Sequence, residues 1–431
     1  MDLEDVELLT SDQGRSLLGQ LPPYDRALAI SLTEGLRRRG IDPKLAAAAL
    51  TQSRLRAKAG DKFGHFADQM LFTDQGLQQA TRLEVAAHHA ERYLAAGIET
   101  VVDLTGGIGG DALAMAALGL RVIVYERDPV TAAVARANLQ PYPAARVFTA
   151  DSLDQRFDST TALFADPSRR TPTDQRVFDP ARYEPPLARL LELARDHPLG
   201  IKVAPGIPHR AIPAGAEAQW VSVDGDVVEA GLWFGPLRSD VDPGDRPRRT
   251  ALVIRQGRAH RLAQGRHRAG EHSPTSAQGY HTDDAADHAR QSARLPTGPL
   301  NEFIYEPDGA VIRASLIAEA AATLGPANLV SPRIAYITSP VEAPGNAFLT
   351  GYRVIDAFPF GLKPLRAYLR EHGIGQIVVK KRGTAVDPAD LRKRLRAKGD
   401  GAATVILTRL GAQQSVVIAQ RLPGVPTPAD C

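Results

Sequence analysis

The stretch VVDLTGGIGGDALAMA, residues 101–116, constrains the fold of this 431-residue chain more than any other. A short apolar run meets four glycines and then an alanine-rich segment. A strand, a tight turn and a helix in that order form a cradle for a nucleotide-like ligand at the end of a parallel sheet. The loop reads as Gly107-x-Gly109-x-x-Ala112, the loose form of a dinucleotide fingerprint. Glu126 follows 19 residues after Gly107, where an acid that holds a ribose belongs. Taken alone, the loop fits NAD as well as S-adenosylmethionine.

The surrounding pattern is α/β. From about 98 to 235, TVVDL, RVIVYE, ARVFTAD, TALFADP and GIKVAPG read as strands, separated by helical segments such as PVTAAVARANLQ and YEPPLARLLELARDH. Such alternation predicts a mainly parallel, Rossmann-like sheet with helices on both faces. WVSVDGDVVEAGLWFG reads as an antiparallel pair turning at Asp224-Gly225. Residues 1–97 read as a helical N-terminal region, in which 77–97 form one amphipathic helix ending at Gly97. The methyl-donor or dinucleotide domain is expected over 98–255. Residues 256–296 are polar, hold five of the eleven histidines, and read as a flexible insertion or linker. The histidine spacing is irregular, and no metal site is expected there. A small C-terminal α/β region is expected over 297–431.

Three acids decide between the ligands. Asp103 lies at the end of the first strand, where it would repel a pyrophosphate but suits the ammonium and sulfonium of S-adenosylmethionine. Asp151, followed by Ser152, sits after the third strand, where a carboxylate can accept a hydrogen bond from an adenine amino group. The fourth strand ends in Asp166-Pro167-Ser168-Arg169-Arg170. With Glu126, these residues fall at the carboxyl ends of successive strands, the ligand-binding end of an open α/β sheet.

On these motifs the chain resembles the class I S-adenosylmethionine-dependent methyltransferases, with DLTGGIGGD, YERDP, TADS and FADPSRR in order. The resemblance implies that Asp103 and Gly107 line the methionine portion, that Glu126 holds the ribose hydroxyls and that Asp151 meets the adenine edge. Thr105, Gly106, Gly109, Arg127 and Ser152 belong to the same cofactor set. AKAGDKFG, LQQATR, IKVAPG, YEPDGAVIRA and KKRG with DPADLRKRL resemble a narrower bacterial group with a helical N-terminal region and a C-terminal THUMP-like domain. THUMP domains proper are associated with RNA-modifying enzymes, so the resemblance implies RNA as the substrate class.

The fourth motif departs from the Asp/Asn-Pro-Pro-Tyr/Phe form of many amino-methylating enzymes, because Ser168 and Arg169 replace the second proline and the base-stacking aromatic. Asp166 is the candidate to orient the acceptor or take its proton, with Pro167 and Arg169 beside it. Arg169 can stack through its guanidinium plane or hold a phosphate. The only cysteine is Cys431, which argues against a cysteine-adduct route and points to transfer onto a nitrogen or oxygen. Lys202, in IKVAPG, is a candidate to face the same cleft from the next strand.

Net charge is only +3, yet residues 361–431 carry 13 Lys and Arg against 5 Asp and Glu. This basic segment suits an RNA backbone, with Lys380, Lys381 and Arg382 as candidate contacts. No apolar run approaches the roughly 18 residues of a membrane span, and the acidic MDLEDVELLT is unlike a signal peptide, so a cytoplasmic protein is expected. Two alternatives stay open: a methyltransferase for a small molecule or protein, and a non-enzymatic RNA-binding protein that keeps the cofactor fold.

Overall fold

The computed structural model describes residues 1–169, 179–239, 248–264 and 295–424. Arg170 of the fourth motif, most of the expected insertion (265–294) and Cys431 lie outside the described residues. The chain divides into two compact units, one of residues 1–203 with 233–240, the other of residues 204–232 with 241–431.

The first unit opens with helices α1 (Leu3–Thr10), α2 (Asp12–Gln20), α3 (Ala29–Arg38), α4 (Pro43–Phe63), α5 (Asp74–Gln79) and α6 (Leu83–Ala95). The longest, α4, starts on Pro43 behind the Asp42 cap, whose carboxylate accepts from Leu45 N at 2.9 Å. Its buried stripe of Leu45, Ala49, Gln52, Leu55, Ala59 and Phe63 keeps helical spacing. Gln52, fully buried, exchanges both amide hydrogen bonds with the Phe72 backbone (2.8 and 2.9 Å). Asn138 does the same for Leu71 (2.7 and 3.0 Å). Two buried amides thus fix the segment that leads into α5.

The sheet of this unit holds β1 (Thr100–Asp103), β2 (Arg121–Glu126), β3 (Ala145–Thr149), β4 (Ala162–Ala165) and β5 (Leu199–Val203). Their order is β3-β2-β1-β4-β5. Each adjacent pair is parallel, with Asp103 opposite both Val124 and Phe164. Helices α7 (Gly110–Ala117), α8 (Pro129–Leu139) and α9 (Leu187–Leu193) complete the crossovers. The order reverses between β1 and β4, which opens a crevice at their carboxyl ends. The expected alternation is therefore the observed one.

Residues 77–97 are not a single helix: α5 ends at Gln79, Ala80 and Arg82 are extended, and α6 starts at Leu83. Lys62 at the end of α4 causes the break. Its Nζ donates to the Leu77, Gln78 and Ala80 carbonyls at 2.8, 3.0 and 2.8 Å, satisfying the terminal acceptors of α5. AKAGDKFG is thus the end of α4 and a cap for α5.

The second unit begins with β6 (Glu217–Val223) and β7 (Asp226–Trp233). Asp224 (φ +48°) and Gly225 (φ +95°) make the turn between them, as a primed hairpin requires. β8 (Arg248–Arg255) runs parallel to β6, and β9 (Arg258–Ala263) antiparallel to β8. The polar RAHRLA of β9, expected in the linker, is therefore strand. An end strand needs only its backbone ladder, so its side chains keep their solvent exposure.

A separate seven-stranded sheet follows, built of β10 (Phe303–Pro307), β11 (Asn328–Ser331), β12 (Ile334–Ser339), β13 (Leu349–Pro359), β14 (Ile374–Lys381), β15 (Gly401–Leu410) and β16 (Gln413–Arg421). Its order is β11-β12-β10-β13-β16-β15-β14. All its pairs are antiparallel except β14 with β15. The helices of this unit are α10 (Gly309–Arg313), α11 (Ile317–Ala322), α12 (Leu362–Glu371) and α13 (Pro388–Leu395). Leu365 and Leu369 of α12 and Leu391 and Leu395 of α13 pack on Val379, Val405, Leu407, Val416 and Ile418.

Candidate functional site

The glycine loop is rigid because each residue is spoken for. Gly107 and Gly109 have φ of +53° and +85°, which side chains other than glycine rarely adopt. A Cβ on Gly106 would stand 2.1 Å from Val124 Cγ1, so only glycine lets the loop lie against β2. Gly106 N donates to the Tyr125 carbonyl, and Gly107 N to Glu126 Oε2, both at 2.9 Å. Glu126 Oε1 takes Asp128 N at 2.8 Å. The acid expected to hold a ribose thus also holds the loop in place. Burial pushes its carboxyl up, against the pull of those two N–H groups.

Four acids gather around the crevice at the strand ends. Asp103, buried, accepts from Thr105 N at 3.0 Å. Burial, reinforced by the nearby Asp111, Asp166 and Glu126 carboxylates, pushes Asp103 up to about 8. Asp151 caps the short turn after β3 by accepting from Leu153 N at 2.9 Å. Its second oxygen makes no hydrogen bond among the described residues. Asp166 follows β4, and its N–H donates to Thr105 Oγ1 at 2.6 Å, tying the fourth strand to the glycine loop.

Together they line a cavity of about 550 Å³, within the range of small-molecule sites. Thr105, Gly106, Gly107, Arg127 and Ser152 line it too, as do Gln75, Gly76 and Gln79 of α5. A Cβ on Gly76 would strike Ile108 Cγ2 at 2.3 Å, so glycine is what lets α5 approach the loop.

Three candidates fall just outside the lining. Gly109 caps α7, Pro167 is buried behind Asp166, and Arg169 lies partly exposed beyond it. Arg127 pairs with Glu184, whose backbone exchanges two hydrogen bonds with Ser168 (2.8 and 3.0 Å).

Lys202 is not a surface residue facing the cleft. It is buried, with its ammonium paired to the Asp166 carboxylate and donating to Thr81 Oγ1 at 2.6 Å. Thr81 donates onward to Asp111 Oδ2 at 2.7 Å, and Asp111 Oδ1 accepts from His89 Nδ1 at 2.8 Å. His89 is packed against Phe164 and Trp233, with ring centroids 5.5 and 5.6 Å away. Burial would raise Asp111, but Lys202, His89 and Thr81 outweigh it and hold the carboxyl down at about 2. For Asp166 burial wins: the carboxyl is raised despite Lys202, with Asp111 adding to the rise.

Thr81, His89 and Asp111 were not singled out in the sequence. Thr81 falls in a stretch that reads as continuous helix, and Asp111 resembles an ordinary first-turn acid. Lys380, Lys381 and Arg382 belong to the second unit, where Lys380 and Arg382 share Glu306 as a counter-ion and Lys381 is exposed. Among the described residues no cluster of three His, Cys, Asp or Glu could hold a metal ion, and no helix is long and apolar enough to cross a membrane.

The cavity is rich in acceptors and acids at its strand-end wall. That set of acceptors suits a ligand bearing an ammonium, a sulfonium, ribose hydroxyls and an adenine amino group, and it opposes a pyrophosphate.

Comparison with known proteins agrees. Family models match residues 73–150 ("Putative SAM-dependent methyltransferase"), 349–421 ("THUMP domain-like") and 2–59 (a domain of unknown function, DUF8688). An uncharacterized S-adenosylmethionine-dependent methyltransferase of Mycobacterium tuberculosis strain CDC 1551 / Oshkosh is 33% identical over 367 residues, covering 83% of this chain and 91% of the relative. Its counterpart in strain H37Rv gives the same values. A crystal structure of a "putative methyltransferase" from Porphyromonas gingivalis W83 shares the fold, with a TM-score of 0.68 at 20% identity over 93% of this chain and 100% of that one. The glycine loop, the ordered strand-end acids and this likeness over nearly the whole length lead to one conclusion: the chain belongs to the family of class I S-adenosylmethionine-dependent methyltransferases and carries a THUMP-like domain at its C-terminal end.

Proposed function

We propose that this methyltransferase acts on RNA, transferring the methyl group to a nucleophilic nitrogen or oxygen, with Asp166 as the group that receives the acceptor. The observation that carries the reading is the place of Asp166: on the cavity wall, next to the cofactor-type acids, with 24% of its side chain exposed and the rest held from behind by Lys202. Bound S-adenosylmethionine supplies an electrophilic methyl group on a positively charged sulfur. In this reading Asp103, Glu126 and Asp151 orient the donor, and Asp166 accepts a hydrogen bond from the nucleophile and takes its proton. The raised affinity of Asp166 for protons suits that task. Alignment of donor and acceptor supplies the remainder. Lys202 is a positioning residue in this account, as is Thr105 through its bond to the Asp166 backbone.

RNA is favoured by the THUMP-like match and by the exposed cations Arg392, Lys393, Arg394, Arg396 and Lys398 on and after α13. These suit backbone contacts without base choice. Lys381 belongs with this exposed set, whereas Lys380 and Arg382 line a separate cleft.

Asp103 makes cofactor binding pH-dependent in a stated direction. Free, it holds a proton up to about pH 8; a cationic ligand favours its ionised form, so binding expels that proton. Affinity for S-adenosylhomocysteine, which keeps the ammonium, is expected to rise by up to about tenfold per pH unit between about pH 5.5 and about pH 7. Titration calorimetry in two buffers of different ionisation enthalpy should show release of nearly one proton per ligand. Asp103→Asn should flatten the slope. Proton uptake, or a slope unchanged in that variant, would remove Asp103 from the ligand.

A further inference from the structure

We propose that the second unit contains a binding site for a phosphate group, in a cleft separate from the methyl-transfer cavity. The cleft has a volume of about 390 Å³, large enough for a nucleotide-sized ligand. It lies on the face of the seven-stranded sheet opposite α12 and α13. Arg255, Lys380, Arg382 and Arg421 converge on it, against the carboxylates of Asp224, Glu306 and Asp308.

The carboxylates are already committed. Asp308, buried, accepts from Ser222 Oγ (2.6 Å) and Ala310 N (2.9 Å) and pairs with Arg255 at 3.4 Å. Glu306 lies between Lys380 at 2.5 Å and Arg382 at 3.5 Å. Asp224 takes Gln256 N at 2.9 Å on its exposed turn.

The cations keep donors to spare. Arg421 stands opposite Tyr352 in the β13–β16 ladder, on the same face, and makes no side-chain hydrogen bond or ion pair among the described residues. Arg382 lies over the Tyr336 ring at 5.6 Å, and its Nε is buried with no hydrogen-bond partner among the described residues. A buried donor left unmatched calls for an explanation, and an anion in the cleft provides one. Lys380 and two arginines around a lined cavity are suited to phosphate oxygens, which take several charge-assisted bonds at once.

The site does not depend on the RNA reading, since a free nucleotide carries the same group. The test is titration calorimetry of the full chain with inorganic phosphate and with adenosine 5′-monophosphate, at constant ionic strength. Saturable binding of both is expected, weakened about tenfold by Arg421→Gln and unchanged by Lys363→Gln, an exposed cation outside the cleft. Arg421 supports no other side chain, so the variant should keep its melting temperature and its affinity for S-adenosylhomocysteine. A short oligoribonucleotide that displaces the monophosphate would identify an RNA strand as the source; failure to displace it would leave the free nucleotide. Absence of saturable binding by the wild-type protein, or equal affinity in a folded Arg421→Gln variant, would overturn the proposal. Both outcomes are read without methyl transfer and leave the RNA reading to its own test.

Discussion

Lys202→Met is expected to destabilise the protein by about 3–5 kcal/mol near neutral pH, the cost of removing one partner from a buried ion pair. The lysine is buried, pairs with Asp166 and donates to Thr81, and its charge holds the Asp111 carboxyl low. Methionine fills similar volume but leaves two carboxylates facing each other across Thr81. Asp111 contributes stability in the wild type above its unfolded value of 3.8, and that contribution is lost as pH falls through about 2. In the variant Asp166, already raised by burial, also loses the lysine that holds it down, so its cost to stability grows as pH rises. The difference between the two proteins should therefore widen from mildly acidic to mildly alkaline pH. Chemical denaturation at two pH values measures it; a deficit that does not grow with pH would show that Lys202 acts through packing alone.

Asp166→Ala is expected to lower methyl transfer by about a thousandfold, within the range for loss of a general acid–base group. Cofactor binding should change little, because the cofactor-type acids Asp103, Glu126 and Asp151 are untouched. The fold should also survive, since Lys202 keeps Thr81 as a bond partner and Asp111 as a counter-charge. Single-turnover assays with labelled S-adenosylmethionine, paired with calorimetry of S-adenosylhomocysteine, separate the two effects. Normal transfer by the variant would take Asp166 out of the chemistry. Loss of cofactor affinity would make it part of the donor site.

What the sequence made legible was local. The glycine loop, the alternation of β1 to β5 and the acids at successive strand ends all follow from spacing within a few dozen residues. The two-residue hairpin at Asp224-Gly225 was readable for the same reason. What escaped depends on partners distant in the chain. The break between α5 and α6 is made by Lys62, 15 to 18 residues upstream of the carbonyls it holds. Lys202 looked like a cleft residue because Thr81, its partner, lies 121 positions away. Lys380 and Arg382 looked like surface cations because Glu306, more than 70 positions earlier, carries no mark of its role. Charge composition predicted a basic segment, but only the fold divides it into an exposed helix and a lined cleft.

The most direct test of the account combines purified protein, methyl-labelled S-adenosylmethionine and a host lysate depleted of its own methylation. The account predicts label that ribonuclease removes, that protease leaves, and that Asp166→Ala does not incorporate. Label that protease removes, or that travels at low mass, would contradict the assignment to RNA.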